Sequence, residues 1–92
     1  MSVTIEYSAQ IQRALGLASE RIELGSNRTV QGIMEALAHR HGERFRNFAQ
    51  DDGGTRRGQL LLAVNDEQVF YDTPLELRDG DVLRIMAPMA GG

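Results

Sequence analysis

The sequence predicts an α+β domain of two layers, with one main helix packed across a mixed sheet of four to five strands. Three observations carry this. Residues 3–7 and 20–24 alternate apolar and polar side chains, residues 30–38 repeat at helical spacing, and two further apolar runs occupy residues 60–64 and 82–87.

Val3, Ile5 and Tyr7 share one parity, which marks a half-buried first strand. Residues 8–19 carry scattered apolar positions (Ile11, Leu15, Leu17) and a turn signal at Gly16. They read equally as a loop or as a short helical turn over 9–15. In the second strand Ile22 and Leu24 are expected inward and the charged residues outward. Together the two strands make an antiparallel opening. Thr29 then precedes Val30, Ile33, Met34, Leu37 and Ala38, at offsets 0, 3, 4, 7 and 8, which is one apolar stripe on a helix. Thr29 is the expected N-cap and Gly42 the expected left-handed stop. Phe45 and Phe48, three apart, suit a short helical turn over the core, and the rest of 43–59 reads as an exposed, mobile loop.

Residues 60–64 give the third strand, followed by a turn at 65–67 and a partner strand over 68–71. Pro74 stops further strand, and Asp79-Gly80-Asp81 marks a tight turn before the last strand. The expected order is strand, strand, helix, strand, strand, strand. Residues 1–87 form the domain and 88–92 a flexible C-terminal tail.

Composition narrows function. The 92 residues hold ten arginines, no lysine, thirteen acids and no cysteine, for a net charge of −3. An acidic chain is a poor match for nucleic acid, which is bound by clustered cations. The longest apolar run is far short of the ~20 residues that span a bilayer, and no signal peptide is visible, so the expected location is the cytoplasm. Without cysteine there are no disulfides, thiolate metal sites or thiol nucleophiles. His39 and His41 lie two apart on a helix and cannot face one ligand, so they read as a solvated helix end and no metal is expected. Asp51-Asp52 and Asp79 with Asp81 fall in glycine turns, where aspartate bonds to local backbone. Gly53-Gly54 with Arg56-Arg57-Gly58 lacks the lysine of a phosphate loop.

After the last strand come Pro88, Met89, Ala90, Gly91 and Gly92. This segment carries no charged side chain. Proline favours an extended backbone, and two terminal glycines pass a channel that any Cβ would obstruct. Such a peptide, ending in a carboxylate, suits insertion into another enzyme's active site. A carboxylate becomes electrophilic once ATP converts it to an acyl adenylate, which a sulfur nucleophile then attacks.

The predicted element order resembles the ubiquitin-like β-grasp fold. The run Leu60-Leu61-Leu62-Ala63-Val64-Asn65, the turn Asp66-Glu67, Thr73-Pro74-Leu75, Asp79-Gly80-Asp81 and the ending Pro88-Met89-Ala90-Gly91-Gly92 are similar to its sulfur-carrier branch (MoaD, ThiS and CysO types). The resemblance covers most of the chain and is densest from residue 60 onward. It implies a protein cosubstrate rather than an enzyme, with no bound cofactor. Gly92 would be adenylated by a ubiquitin-activating-type adenylyltransferase that consumes ATP. A sulfur donor or sulfurtransferase would then convert it to a thiocarboxylate, which delivers sulfide to a downstream synthase. Gly91, Ala90, Met89 and Pro88 would present it. The interval 43–59 resembles the cysteine-pathway carriers and residues 60–65 the molybdopterin type, so no single pathway is selected. The same family logic allows a small subunit of molybdopterin synthase, or a modifier joined to lysines of other proteins through Gly92. Lacking lysine, the chain offers only the Met1 amine for building polymers of itself.

One further surface follows from strand parity. With Leu60, Leu62 and Val64 facing the helix, Leu61 and Ala63 lie on the other face of the sheet. With Met86 and Phe70 they are expected to form a docking patch beside the tail.

Overall fold

A computed structural model describes residues 1–26, 28–49 and 60–87. In chain order these form β1 (Ser2–Tyr7), α1 (Ala9–Leu15), β2 (Ser19–Glu23), α2 (Val30–His41), α3 (Glu43–Ala49), β3 (Leu61–Val64), β4 (Glu67–Val69) and β5 (Val82–Met86). The sheet order is β2-β1-β5-β3-β4. Its central pair, β1 and β5, is parallel, and the other pairs are antiparallel. This is the ubiquitin-like β-grasp fold expected from the sequence. The mobile loop expected beyond Phe48 and the tail over 88–92 lie outside the described residues, apart from Ala49, which closes α3.

The alternation of β1 buries Val3, Ile5 and Tyr7, and the stripe of α2 buries Val30, Ile33, Met34 and Leu37 against them. Leu62, Val64, Leu83 and Ile85 complete the layer from the sheet side. Burial of these aliphatic side chains is the main stabilising term, at roughly 1.5–3 kcal/mol for each. Thr29 caps α2 as expected: its Oγ1 accepts the Gly32 N–H at 3.1 Å.

The helical alternative over 9–15 and the short turn carrying Phe45 and Phe48 both form as helices, the second extending over Glu43–Ala49. In α1, Ile11 and Leu15 stand one turn apart and are both buried. Gly16 ends it at φ 81°, a left-handed position, with its N–H donating to Gln12 O at 2.7 Å. In α3, Phe45 is fully buried and Phe48 packs partly against the core.

Four expectations need correction. Gly42 ends α2 with positive φ (67°), but its ψ of −139° is not left-handed helical. The next helix starts at once: the Gly42 carbonyl accepts the Phe45 and Arg46 amides, each at 3.1 Å. The β3–β4 connection is two residues, not three. Asn65 and Asp66 take φ of 51° and 73°, the positive pair of a tight hairpin, so β4 begins at Glu67 and ends at Val69. Glu20 is not outward: the register sets it beside Ile5, on the face where Ile22 meets Val3. His41 is not a solvated helix end either, because it bonds Glu20 with only 14% of its side chain exposed. His39 is exposed, as expected.

The 78–81 turn forms as expected. Gly80 sits at φ 88°, and the Asp81 carboxylate accepts from the Arg78 N–H at 2.7 Å and the Asn65 side-chain amide at 2.9 Å. Among the described residues no helix is long and apolar enough to cross a membrane.

Candidate docking face and its relatives

The helices cover one face of the sheet. On the other face, strand register sorts the side chains into rows. Glu6, Arg84, Ala63 and Gln68 make one row across β1, β5, β3 and β4. Two residues further along β5, Met86 stands opposite Leu61. The β3–β4 register continued by one residue sets Phe70 opposite Leu61 in turn. An apolar row therefore runs from Met86 on β5 through Leu61 on β3 to Phe70, the residue after β4, at the end of the sheet where β5 finishes. Leu61 is 49% exposed and Phe70 64%, while Met86 is half-buried.

Of the patch residues expected from the sequence, the structure brings these three into one line. Ala63 lies one rung inward, half-buried and opposite Arg84. Pro88, Met89, Ala90, Gly91 and Gly92 lie outside the described residues.

The charged row was not anticipated. Arg84 donates from Nη2 and Nε to Glu6 Oε1 at 2.9 and 3.1 Å, and from Nη1 to Asp66 Oδ1 at 3.2 Å. The hydrogen bond and charge of Glu6, followed by the charge of Asp66, raise the guanidinium's already high pKa. Ion pairs this exposed contribute little stability. They do set a polar border beside the apolar row, the arrangement common at protein interfaces. Alternation marks Glu6 and Arg84 as outward, and so they are, but only the parallel β1–β5 pairing makes them neighbours.

A second cluster lies on the helix side. Glu20 Oε2 accepts from the Tyr7 hydroxyl and from His41 Nε2 (2.5 Å), and Oε1 accepts from Arg40 at 2.7 Å. Burial pushes the Glu20 carboxyl pKa up, but the bonds from Tyr7, Arg40 and His41 outweigh it and hold the group below its usual range. Burial, with the bond to Glu20, drives the Tyr7 phenol far above its ordinary pKa. The cluster ties the end of α2 to β1 and β2. Among the described residues no group of three His, Asp or Glu side chains is placed to hold a metal ion.

A β-grasp sheet with an exposed apolar row beside its terminal strand defines the class: a small ubiquitin-like domain. The chain belongs to the ThiS family, whose model matches residues 5–92. A comparison with curated proteins found no match. Solved structures do match. SAMP1 from Haloferax volcanii superposes with a TM-score of 0.84 over 100% of both chains at 21% identity. A structure described as molybdopterin converting factor subunit 1 from Pyrococcus furiosus gives 0.72 at 29% identity, covering 97% of this chain and 99% of that one. The match from the BexX/CysO complex of Amycolatopsis orientalis gives 0.65 at 27% identity, covering 98% and 99%.

Proposed function

We propose that this chain is a sulfur carrier, a protein cosubstrate whose Gly92 carboxylate is activated and converted to a thiocarboxylate. The observation that carries the reading is the apolar row of Met86, Leu61 and Phe70, placed where β5 leads toward Pro88 and the two glycines. Family membership over residues 5–92 supports it. So does the likeness to chains described as a molybdopterin converting factor subunit and as part of a complex with CysO.

A carboxylate oxygen of Gly92 attacks the α-phosphorus of ATP on an activating enzyme, forming an acyl adenylate and releasing pyrophosphate. A persulfide sulfur then attacks the acyl carbon and AMP leaves. A thiol cleaves the resulting S–S bond, ends in a disulfide with the donor, and frees the thiocarboxylate. That sulfur passes to an acceptor held by a downstream synthase. The globule contributes no reacting group. Its apolar row, bordered by Glu6, Arg84 and Asp66, supplies affinity that offsets the cost of ordering the terminal peptide in a partner's channel. The reading gives the protein a cytoplasmic location with its partner enzymes and no resident cofactor.

Intact mass spectrometry tests this. Incubation with an activating enzyme, ATP and a sulfur donor is expected to exchange one terminal oxygen for sulfur. Adducts on lysines of other proteins would instead assign a modifier. Permanent association with a catalytic partner would assign an enzyme subunit. An unchanged mass with several competent activating enzymes would overturn the proposal.

A further inference from the structure

Ser8 occupies the N-cap of α1, with extended backbone (φ −68°, ψ 166°), where a serine hydroxyl ordinarily accepts an amide of the first turn. Here it makes no such bond. Its Oγ instead accepts the Ala87 N–H at 3.1 Å, across 79 residues of sequence and in a partly buried setting. The backbone explains why. β1 and β5 run parallel as far as Tyr7 and Ile85, and the Ser8 N–H donates to Ile85 O at 3.0 Å. The next carbonyl in the ladder is that of Ser8, but α1 begins at Ala9 and the Ser8 carbonyl already accepts the Gln12 N–H at 2.9 Å. The serine hydroxyl takes the place of that carbonyl and extends the ladder by one rung. Ala87 is also the residue before Pro88, a position biased toward extended backbone.

We propose that Ser8 is a positioning residue for the C-terminal peptide. It gives up capping its own helix to clamp Ala87, and so fixes the anchor that precedes Pro88 in the sequence. This rests on the reading of Gly92 as the activated group. Five residues reach at most ~18 Å. A presentation that starts from a clamped Ala87, beside the row of Met86, Leu61 and Phe70, aims that short reach at one partner channel. Without the clamp each productive docking event must order Ala87 as well.

The test compares Ser8→Ala with Ser8→Thr in the full chain. By amide hydrogen exchange, Ser8→Ala is expected to lower protection at Ala87 about tenfold or more while core amides such as Ile5 and Leu83 stay unchanged, and Ser8→Thr keeps it. In ATP–pyrophosphate exchange with an activating enzyme, Ser8→Ala is expected to raise KM for the carrier about fivefold with kcat unchanged, the scale set by ordering one more residue. Ser8→Thr restores KM. Unchanged exchange at Ala87 overturns the clamp, whatever the protein does. Lost protection with an unaltered KM overturns its part in presentation. If the unsubstituted chain supports no exchange with any activating enzyme, the carrier reading fails and the presenting role with it, while the amide measurement still decides whether the clamp exists.

Discussion

Tyr7 and His41 bond the same oxygen of Glu20, and their rings meet edge to face with centroids 6.4 Å apart. With Arg40 on the other carboxylate oxygen and on the Arg21 carbonyl at 3.1 Å, this joins the last turn of α2 to the sheet's outer strand.

The cluster predicts a stability profile on the acid side. Glu20 has its pKa lowered in the fold, against roughly 4.3 in an unfolded chain. Its contribution is therefore fully present above that unfolded value and disappears as pH falls through the lower folded one. Glu20→Gln, which keeps the shape but loses the charge, should cost about 1–3 kcal/mol at neutral pH. It should also flatten the acid limb of a melting curve series. Circular dichroism melts between neutral pH and strong acid check this, and identical slopes for the two proteins would refute it.

Leu37 tests the core. It is fully buried at the centre of the α2 stripe. Leu37→Ala should cost about 2–5 kcal/mol by chemical denaturation. Leu37→Asp should prevent folding altogether, because the carboxylate would be buried without a partner.

How far the fold was legible follows from the strength of each local pattern. β1 and α2 carry full periods of two and 3.6, β3 and β5 are short apolar runs, all four have apolar residues at every inward position, and they form where the sequence puts them to within a residue or so. α1 offers only Ile11 and Leu15 in seven residues, too little to separate helix from loop without its packing partners. The hairpin at Asn65 and Asp66 was set one residue too long, because Glu67 is polar and its place in the ladder is decided by pairing with Val64. Glu20 was misplaced although parity sets it with Ile22. Charge suggested an outward side chain, whereas Tyr7, Arg40 and His41, distant in sequence, give it partners inside. The apolar row was legible as residues, and only sheet order showed which of them align.

Phe70 and Leu61 should separate binding from stability. Phe70 is largely exposed and Leu61 half-exposed, so Phe70→Ala and Leu61→Asp are expected to change unfolding free energy by no more than about 0.5 and 1 kcal/mol respectively. Affinity for an activating enzyme should fall about tenfold or more, as for an interface anchor. Calorimetry of both variants reads this directly, and wild-type affinity in both would remove the row from the interface.

Deleting Gly91 and Gly92 should abolish activation and leave the melting temperature nearly unchanged. Among the described residues the buried cluster already runs from Val3 to Ile85, and a chain end of two glycines has no side chain to add to it, so the core is expected to survive the deletion. A marked drop in melting temperature would show that the glycines are part of the folded body.

The parallel run of β1 beside β5 has a practical corollary. Strands aligned in one direction begin at one pole of the sheet and finish at the other, so the Met1 amine stands away from the Ala87 pole by about 20 Å, the length of β1 at ~3.3 Å per residue. A fluorophore or affinity handle attached at Met1 therefore sits at the far pole from Ala87 and from the row of Met86, Leu61 and Phe70, so the chain can be immobilised or tracked without covering that row.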